Sequence, residues 1–246
     1  MPKTSVGRQG RGRSPHSAAT VVRERVFAGG ERYWSHQDFS GLSAAAVAHA
    51  FSRLTAEGVL LRVRKGLYYR SKMTAVGPSM PSAATAFART MRVPLHASGL
   101  TAANWLGLTT QNPARGEFAT PAAGRPGWLS DVVVHTRRPV SRMGLPDDDG
   151  ALLELLRDRA RFSDLSPRAT VKRLESMLSD TGRFARLAAA ALSEPPRVRA
   201  MLGALGEQAG MPADALTPLR AGLNPLSRFD FGILRVLPNA REWQAR

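Results

Sequence analysis

The chain has 246 residues, with 35 Lys and Arg against 19 Asp and Glu, and a formal net charge of +16. Hydrophobic residues make up 43%, which is enough for a core and excludes a disordered chain. The absence of cysteine excludes a disulfide framework, a thiolate zinc site and a cysteine nucleophile. No secretory signal and no apolar run of the ~20 residues that span a bilayer are visible, so we expect a cytoplasmic protein.

The positive charge is concentrated near the N-terminus. Residues 1–72 contain 13 basic and 4 acidic side chains, a net charge of +9. Residues 73–246 contain 22 and 15, a net charge of +7 over more than twice the length. A basic excess in one segment is typical of proteins that bind a polyanion, because counterion release drives the association. An arginine-rich genome composition is the alternative explanation.

The first 72 residues contain the pattern of a small DNA-binding domain. Residues 1–17 are predicted to be a flexible basic arm. Helices are predicted at residues 17–27, 36–39 and 44–57, and the strands of a hairpin at residues 59–63 and 67–70. This order of elements predicts a winged helix-turn-helix over residues 18–72.

The remaining chain mixes helical and strand periodicity. Residues 73–81 are predicted to be a linker, because they contain one glycine and two prolines. Helices are predicted at residues 83–91, 100–106, 150–161, 167–178, 183–192, 197–208 and 213–223, and strands at 117–120, 131–136 and 229–237. The predicted fold class is therefore α+β, with a mostly helical α/β domain over residues 82–246.

The helix at residues 44–57 is the predicted recognition helix. Val47, Phe51 and Leu54 form its apolar stripe, and in a helix-turn-helix the exposed face of the second helix contacts base edges. The predicted contacts are the N-cap and the face opposite the stripe: Ser43, Ala45, His49, Ser52 and Arg53. Because most of these side chains are small, we expect modest specificity, increased by dimerisation or DNA shape. For His49, an ordinary solvated histidine is the alternative.

The hairpin adds a second group of predicted DNA contacts. Basic and aromatic side chains surround its turn, and they can follow phosphates or enter a minor groove. The candidates are Arg62, Arg64, Lys65, Tyr68 and Arg70. The alternative is a solvated surface hairpin whose tyrosines belong to its core.

Several blocks of the sequence occur in an order that resembles the AbiEi-type antitoxins of bicistronic toxin–antitoxin systems. The first blocks are Phe39-Ser-Gly-Leu-Ser43 and Arg64-Lys-Gly-Leu-Tyr-Tyr69, and the later ones lie at residues 102–111, 196–203 and 223–227. The resemblance implies that the winged helix binds repeats upstream of its own operon and represses it. It also implies that the second domain neutralises a nucleotidyltransferase-like toxin encoded by the adjacent gene.

The predicted partners are double-stranded DNA at repeated half-sites, the toxin that the resemblance implies, and a second copy of the chain on DNA, which the small side chains of the recognition helix favour. Antitoxins of this kind are described as acting without a stable toxin complex, and some relatives have no toxin. No motif that we can match identifies the neutralising residues. The alternative function is a winged-helix repressor whose second domain senses a small ligand or only dimerises, with no toxin partner.

Motifs of enzymes are not found in the second domain. Pro146-Asp147 resembles the start of a magnesium-dependent nuclease motif, but Thr170 stands two residues before Lys172, where that motif needs an acid. The acids at 147–149 precede a predicted helix, where they favour the positive end of its dipole. We therefore predict no catalytic residue, no metal and no cofactor. For Asn104 and the polar residues at 109–111, a ligand surface and a capped helix end are the alternatives.

Overall fold

The computed structural model describes residues 17–129 and 131–246, and it has the predicted α+β fold class. The chain divides into two compact units, Met1–Ser82 and Ala83–Arg246. The predicted basic arm lies outside the described residues, apart from Ser17. Within the described ranges, no helix has both the length and the apolar character needed to cross a membrane.

Over residues 17–82, the first unit contains two α-helices, a short 3-10 helix and small antiparallel sheets. Its elements are α1 (Ala18–Ala28), β1 (Arg32–Trp34), the 3-10 helix His36–Phe39, α2 (Ala44–Ala56), β2 (Leu61–Arg64), β3 (Leu67–Arg70), β4 (Met73–Thr74) and β5 (Gly77–Pro78). The predicted helices and hairpin are confirmed. The strand β1 and the hairpin β4–β5, within the predicted linker, were not predicted; β1 completes a sheet of order β1-β3-β2.

Local capping and turn chemistry set the ends of these elements. The hydroxyls of Ser17 and Ser43 accept hydrogen bonds from the backbone N–H of Thr20 and Ala46, both at 3.2 Å, and so cap α1 and α2. Between β2 and β3, Gly66 has a φ of 77°, a conformation that other residues rarely adopt. The sequence therefore fixes where α2 begins and where the hairpin turns.

A small aromatic and aliphatic core holds the first unit together. The side chains that α1, α2, the 3-10 helix and the sheet bury together are Val22, Val26, Trp34, Phe39, Val47, Ala50, Phe51, Leu54, Leu60 and Tyr68. The ring of Phe51 lies 4.7 Å from that of Tyr68 and 5.6 Å from that of Phe39, measured between centroids. This packing determines which face of α2 remains in solvent.

The second unit is mostly helical, with a small three-stranded sheet. Its elements are α3 (Ala83–Met91), β6 (His96–Ala97), α4 (Gly99–Trp105), β7 (Glu117–Ala119), β8 (Val133–His135), α5 (Asp147–Arg157), α6 (Pro167–Leu178), α7 (Thr181–Ala191), α8 (Pro196–Gln208) and α9 (Ala213–Ala221). In the sheet, β7 pairs antiparallel with β6 and parallel with β8. Short 3-10 helices occur at Val140–Arg142, Gly232–Val236 and Ala240–Trp243.

The predicted strand at residues 229–237 is wrong. Residues Gly232–Val236 form a 3-10 helix, and only Phe229 makes a strand-like bridge, to Ala245. The side chain of Asp230 accepts a hydrogen bond from the N–H of Gly232 at 2.8 Å, which is a local turn that competes with an extended chain. The apolar residues of this segment therefore meet the core at helical rather than alternating spacing.

The core of the second unit surrounds α8. This helix buries Val198, Met201, Leu202 and Leu205 against its neighbours. A glycine at 203 lets the C-terminal Trp243 approach closely, because a Cβ there would lie 2.1 Å from the indole ring. The end of the chain is thus packed directly onto the central helix.

Shortening Phe51 tests whether the aromatic core positions α2. Phe51→Ala should lower the free energy of unfolding by about 3–5 kcal/mol, because the cavity left beside Phe39 and Tyr68 cannot be refilled. Phe27→Ala, on the exposed side of α1, is the matched control and should cost about 1 kcal/mol or less. Urea unfolding followed by circular dichroism measures both, and equal losses would contradict the burial of Phe51 between Phe39 and Tyr68.

Candidate functional site

The residues predicted to read DNA lie together on the solvent face of α2. Val47, Ala50, Phe51 and Leu54 point into the core. The exposed residues of the helix and its N-cap include all five predicted contacts: Ser43, Ala45, His49, Ser52 and Arg53. Apart from His49 and Arg53 these side chains are small, so the helix backbone can approach a flat or grooved partner closely.

The surroundings of this face carry positive charge almost without acids. Helix α2 contains no Asp or Glu, and Glu57 is the only acidic residue between Asp38 and Glu117. Glu57 pairs with Arg23, and Asp38 pairs with Arg32 at 2.8 Å, while the exposed Glu24 of α1 lines a groove with Arg53 and Glu57. A polyanion that approaches α2 therefore meets no acid on the helix itself, and the nearby carboxylates lie beside its C-terminal half.

The hairpin presents one cation, Arg62, on the side of the sheet that packs against α2. Arg62 stands opposite Tyr68 in the antiparallel pair, so both side chains lie on one face of the sheet. Because the ring of Tyr68 contacts Phe51 of α2, Arg62 projects on the α2 side, and it is exposed. Lys65 is exposed in the turn, and Arg64 is half-buried beyond a shift in the register.

Two predicted DNA contacts are corrected by the structure. The ring of Tyr68 is only 7% exposed and belongs to the core. The guanidinium group of Arg70 donates hydrogen bonds to the carbonyl oxygens of Val26 and Phe27 at the end of α1, and lies over the ring of Phe27. Both side chains hold the unit together, so we remove them from the candidate contacts.

Several polar residues that stood out in the second unit have structural contacts. Asp149 is buried and pairs with Arg183 at 2.7 Å, and Asp148 accepts a hydrogen bond from the indole of Trp105 at 2.7 Å. The amide of Asn104 donates to the carbonyl oxygen of Gln111 at 3.1 Å. Asn104 therefore closes the loop after α4, which is the capped-helix alternative.

The sequence analysis missed a cluster of buried charges in the second unit. We name its five members, Arg138, Arg142, Glu154, Arg157 and Glu194, the ion cluster. The guanidinium group of Arg138 binds both oxygens of Glu154, at 2.7 and 2.9 Å. Arg142, fully buried, bridges Glu154 and Glu194, and Arg157 donates to Glu194 at 2.7 Å.

The charge state of the cluster follows from its contacts. Burial alone would raise the pKa of Glu154, but the hydrogen bond from Arg138 and the charges of Arg138 and Arg142 lower it to about 2. Ser98 adds a hydrogen bond to this carboxylate at 2.9 Å. The signal in the sequence is a single acid inside an apolar helical run, since Glu154 stands between two pairs of leucines.

A polar cavity of about 270 Å³ opens beside the ion cluster. Three residues of the cluster line it, together with residues from β7, β8, the end of α5 and the beginning of α8. The full lining is Ser98, Glu117, His135, Arg138, Glu154, Arg157, Asp158, Arg161, Pro195 and Arg197. The cavity lies wholly within the second unit.

Removing the charge of Glu154 should give a pH-dependent loss of stability. The folded pKa of about 2 lies below the ordinary 4.5, so this carboxylate stabilises the fold above pH 4.5 and loses that effect as the pH falls toward 2. Glu154→Gln should therefore cost about 3 kcal/mol at neutral pH and clearly less near pH 3. Denaturant unfolding at both pH values measures the difference in the free energy of unfolding between the wild type and the variant, with exposed Glu242→Gln as control. A difference of the same size at both pH values would contradict the lowered pKa of Glu154.

Comparisons with known proteins give few similarities. A protein-family model described as a family of unknown function, DUF6088, matches residues 34–127. No curated protein matches the sequence. Among solved structures, the chain is similar to the RV2827C protein from Mycobacterium tuberculosis, with 18% sequence identity, a TM-score of 0.45, and coverage of 87% of this chain and 85% of that chain.

Proposed function

We propose that the first unit is a winged helix-turn-helix that binds double-stranded DNA and represses the operon of the protein. The observation that carries the proposal is the solvent face of α2. Most of its side chains are small, none is acidic, and the exposed Arg62 projects on the side of the sheet that packs against this helix. In this assignment α2 is the recognition helix and β2–β3 is the wing.

The order and pairing of the elements support this assignment. Helix, strand, short helix, helix and hairpin follow one another, and β1 pairs with the second strand of the hairpin. The 3-10 helix His36–Phe39 and α2 are separated by a short turn, as in a helix-turn-helix. The core leaves Arg53 of α2 and Lys65 at the tip of the hairpin exposed.

The two groups of side chains would perform different tasks on DNA. Arg62 and Lys65 would contact phosphates, which contributes affinity without reading sequence. His49, Ser52 and Arg53 would reach base edges, and the alanines would contact thymine methyl groups. With so few long side chains on the helix, two copies of the chain at repeated half-sites would supply the remaining specificity.

We further propose that the second unit neutralises a nucleotidyltransferase-like toxin encoded by the adjacent gene. The support is the resemblance of the ordered sequence blocks to AbiEi-type antitoxins, three of which fall in this unit. A protein with both tasks acts in the cytoplasm, where its operon and its toxin are found, and it needs no cofactor or catalytic residue.

DNA binding is tested with the full chain, its own promoter duplex and an unrelated duplex of equal length. Arg62→Ala should weaken binding to both duplexes by about tenfold near 0.1 M salt, and lower the slope of log K against log salt by about 1. Arg235→Ala removes one exposed charge from the second unit and should leave the slope unchanged. Fluorescence anisotropy measures the affinity and its dependence on salt. The absence of binding between the wild-type chain and its promoter duplex at low salt would refute the proposal.

Co-expression tests the antitoxin function separately from repression. The adjacent open reading frame is expressed from an inducible promoter, alone or with the full chain supplied from a second plasmid. The chain should restore growth, and a double variant with Arg62→Ala and Lys65→Ala should restore it equally, because neutralisation is assigned to the second unit. If expression of the adjacent reading frame alone does not slow growth, the result would contradict the antitoxin proposal and favour a repressor without a toxin partner.

A further inference from the structure

The sheet of the second unit contains a buried histidine, His96, which belongs neither to the ion cluster nor to the lining of the polar cavity. Its imidazole is fully buried on β6, the two-residue strand at the edge of the sheet. The Nε2 atom lies 3.4 Å from the carbonyl oxygen of Arg142. Because a carbonyl oxygen can only accept a hydrogen bond, Nε2 carries the proton of the neutral ring.

The other ring nitrogen of His96, Nδ1, has no place for a proton. It is buried without a hydrogen-bond partner among the described residues. The ring lies against Gly150 of α5, where a Cβ would come within 2.0 Å of Nδ1, so the backbone of the helix occupies the side on which an acceptor or a water would have to stand. An imidazolium ion donates from both nitrogens, so protonation would create a buried donor without an acceptor.

The charges near His96 leave the neutral ring favoured. Burial is the largest influence, and it lowers the pKa of His96 below the ordinary value of 6.5. The hydrogen bond to the carbonyl oxygen of Arg142 raises this pKa, whereas the positive charge of Arg142 lowers it. The carboxylates of Asp147 and Glu154 on α5 also raise it, but the net direction remains downward.

The other ionisable side chains on the elements packed against β6 have partners elsewhere. These elements are α4, α5 and β7, and α4 has no ionisable side chain. On β7, Glu117 is hydrogen-bonded to His135 at 2.6 Å. The remaining ones on α5 are Asp148, Asp149 and Arg157, which are bonded to Trp105, Arg183 and Glu194. In the described part of the chain, none of these groups is hydrogen-bonded to the ring of His96.

A movement of β6 would reach the ion cluster through Ser98. This residue follows two positions after His96, and its hydroxyl donates to Glu154 at 2.9 Å. Its N–H donates to the carbonyl oxygen of Glu117 at 2.9 Å, which ties the end of β6 to β7. A two-residue strand at the edge of a sheet makes few hydrogen bonds, and such elements open locally at low cost.

We propose that His96 is an acid-sensitive latch, whose protonation in mildly acidic solution releases β6 from α5 and opens this part of the second unit. The latch depends neither on the DNA-binding function nor on the antitoxin function proposed above. Because the closed state binds the proton less readily than the open state, the latch is fully closed well above pH 6.5 and weakens as the pH falls below 6.5. The core of the first unit contains no histidine and should not respond.

Hydrogen exchange of the full chain at pH 7.5 and pH 5.5, followed by mass spectrometry, tests the latch. After correction for the intrinsic exchange rates, the opening constant of peptides that cover residues 94–104 should rise about tenfold at the lower pH, because the open state takes up one proton. Peptides from α2 in the first unit should show no such rise. Equal protection of residues 94–104 at both pH values would overturn the proposal.

His96→Gln isolates the contribution of the ring, because glutamine keeps an N–H for the carbonyl oxygen of Arg142 and cannot be protonated in this range. The rise in the opening constant should fall from about tenfold to less than twofold. His36→Gln, at an exposed position of the first unit, is the control and should retain the full rise. A full rise in His96→Gln would overturn the proposal.

NMR of the wild-type chain gives a second measurement that does not require a variant to fold. The side-chain resonances of His96 in the closed state should remain those of a neutral imidazole at pH 6.0, because the ring cannot accept a proton in place. Resonances of an imidazolium ion at pH 6.0, with the strand still protected from exchange, would show that the ring is protonated without opening and would overturn the latch.

Discussion

The first unit depends on the burial of one stripe of α2. Phe51 and Leu54 enter a core that also contains Trp34 and Tyr68, and the aromatic rings leave α2 no freedom to rotate about its axis. A rotation by one residue would bury polar atoms of Ser52 or Arg53 at a cost of several kcal/mol. The same packing that stabilises the unit therefore fixes the solvent face from which DNA binding is proposed.

The second unit contains buried charges, whereas the packing of α2 in the first unit depends on buried aromatic and aliphatic side chains. The ion cluster places charged groups where hydrophobic residues would usually lie, and such groups stabilise a fold only when each is hydrogen-bonded. Glu154 achieves this with Arg138, Arg142 and Ser98 around its two oxygens. The resulting network joins the 3-10 helix Val140–Arg142 to α5, so it fixes one wall of the neighbouring polar cavity.

The sequence predicts what local periodicity controls and misses what long-range contacts decide. The stripe of α2 and its N-cap at Ser43 could be found because both depend on neighbours within one or two turns. The burial of Tyr68 and the inward direction of Arg70 depend on the register between strands and on the end of α1, which no local pattern contains. The ion cluster joins residues 40 positions apart, such as Glu154 and Glu194, and only the isolated acid in an apolar run hinted at it.

The two units thus use arginine in two physically different ways. Arg62 and Lys65 are exposed, so the energy that they would contribute to the proposed DNA binding would come from the release of counterions and would be weakened by salt. Arg157 and Arg197 lie partly buried, where screening is weak and orientation is fixed by hydrogen bonds to neighbouring groups. Exposed cations of the first kind suit a long, uniform polyanion, whereas oriented cations of the second kind hold neighbouring segments of the fold together. The large net charge of this chain therefore combines exposed cations, from which DNA binding is proposed, with buried arginines that form the ion cluster of the second unit.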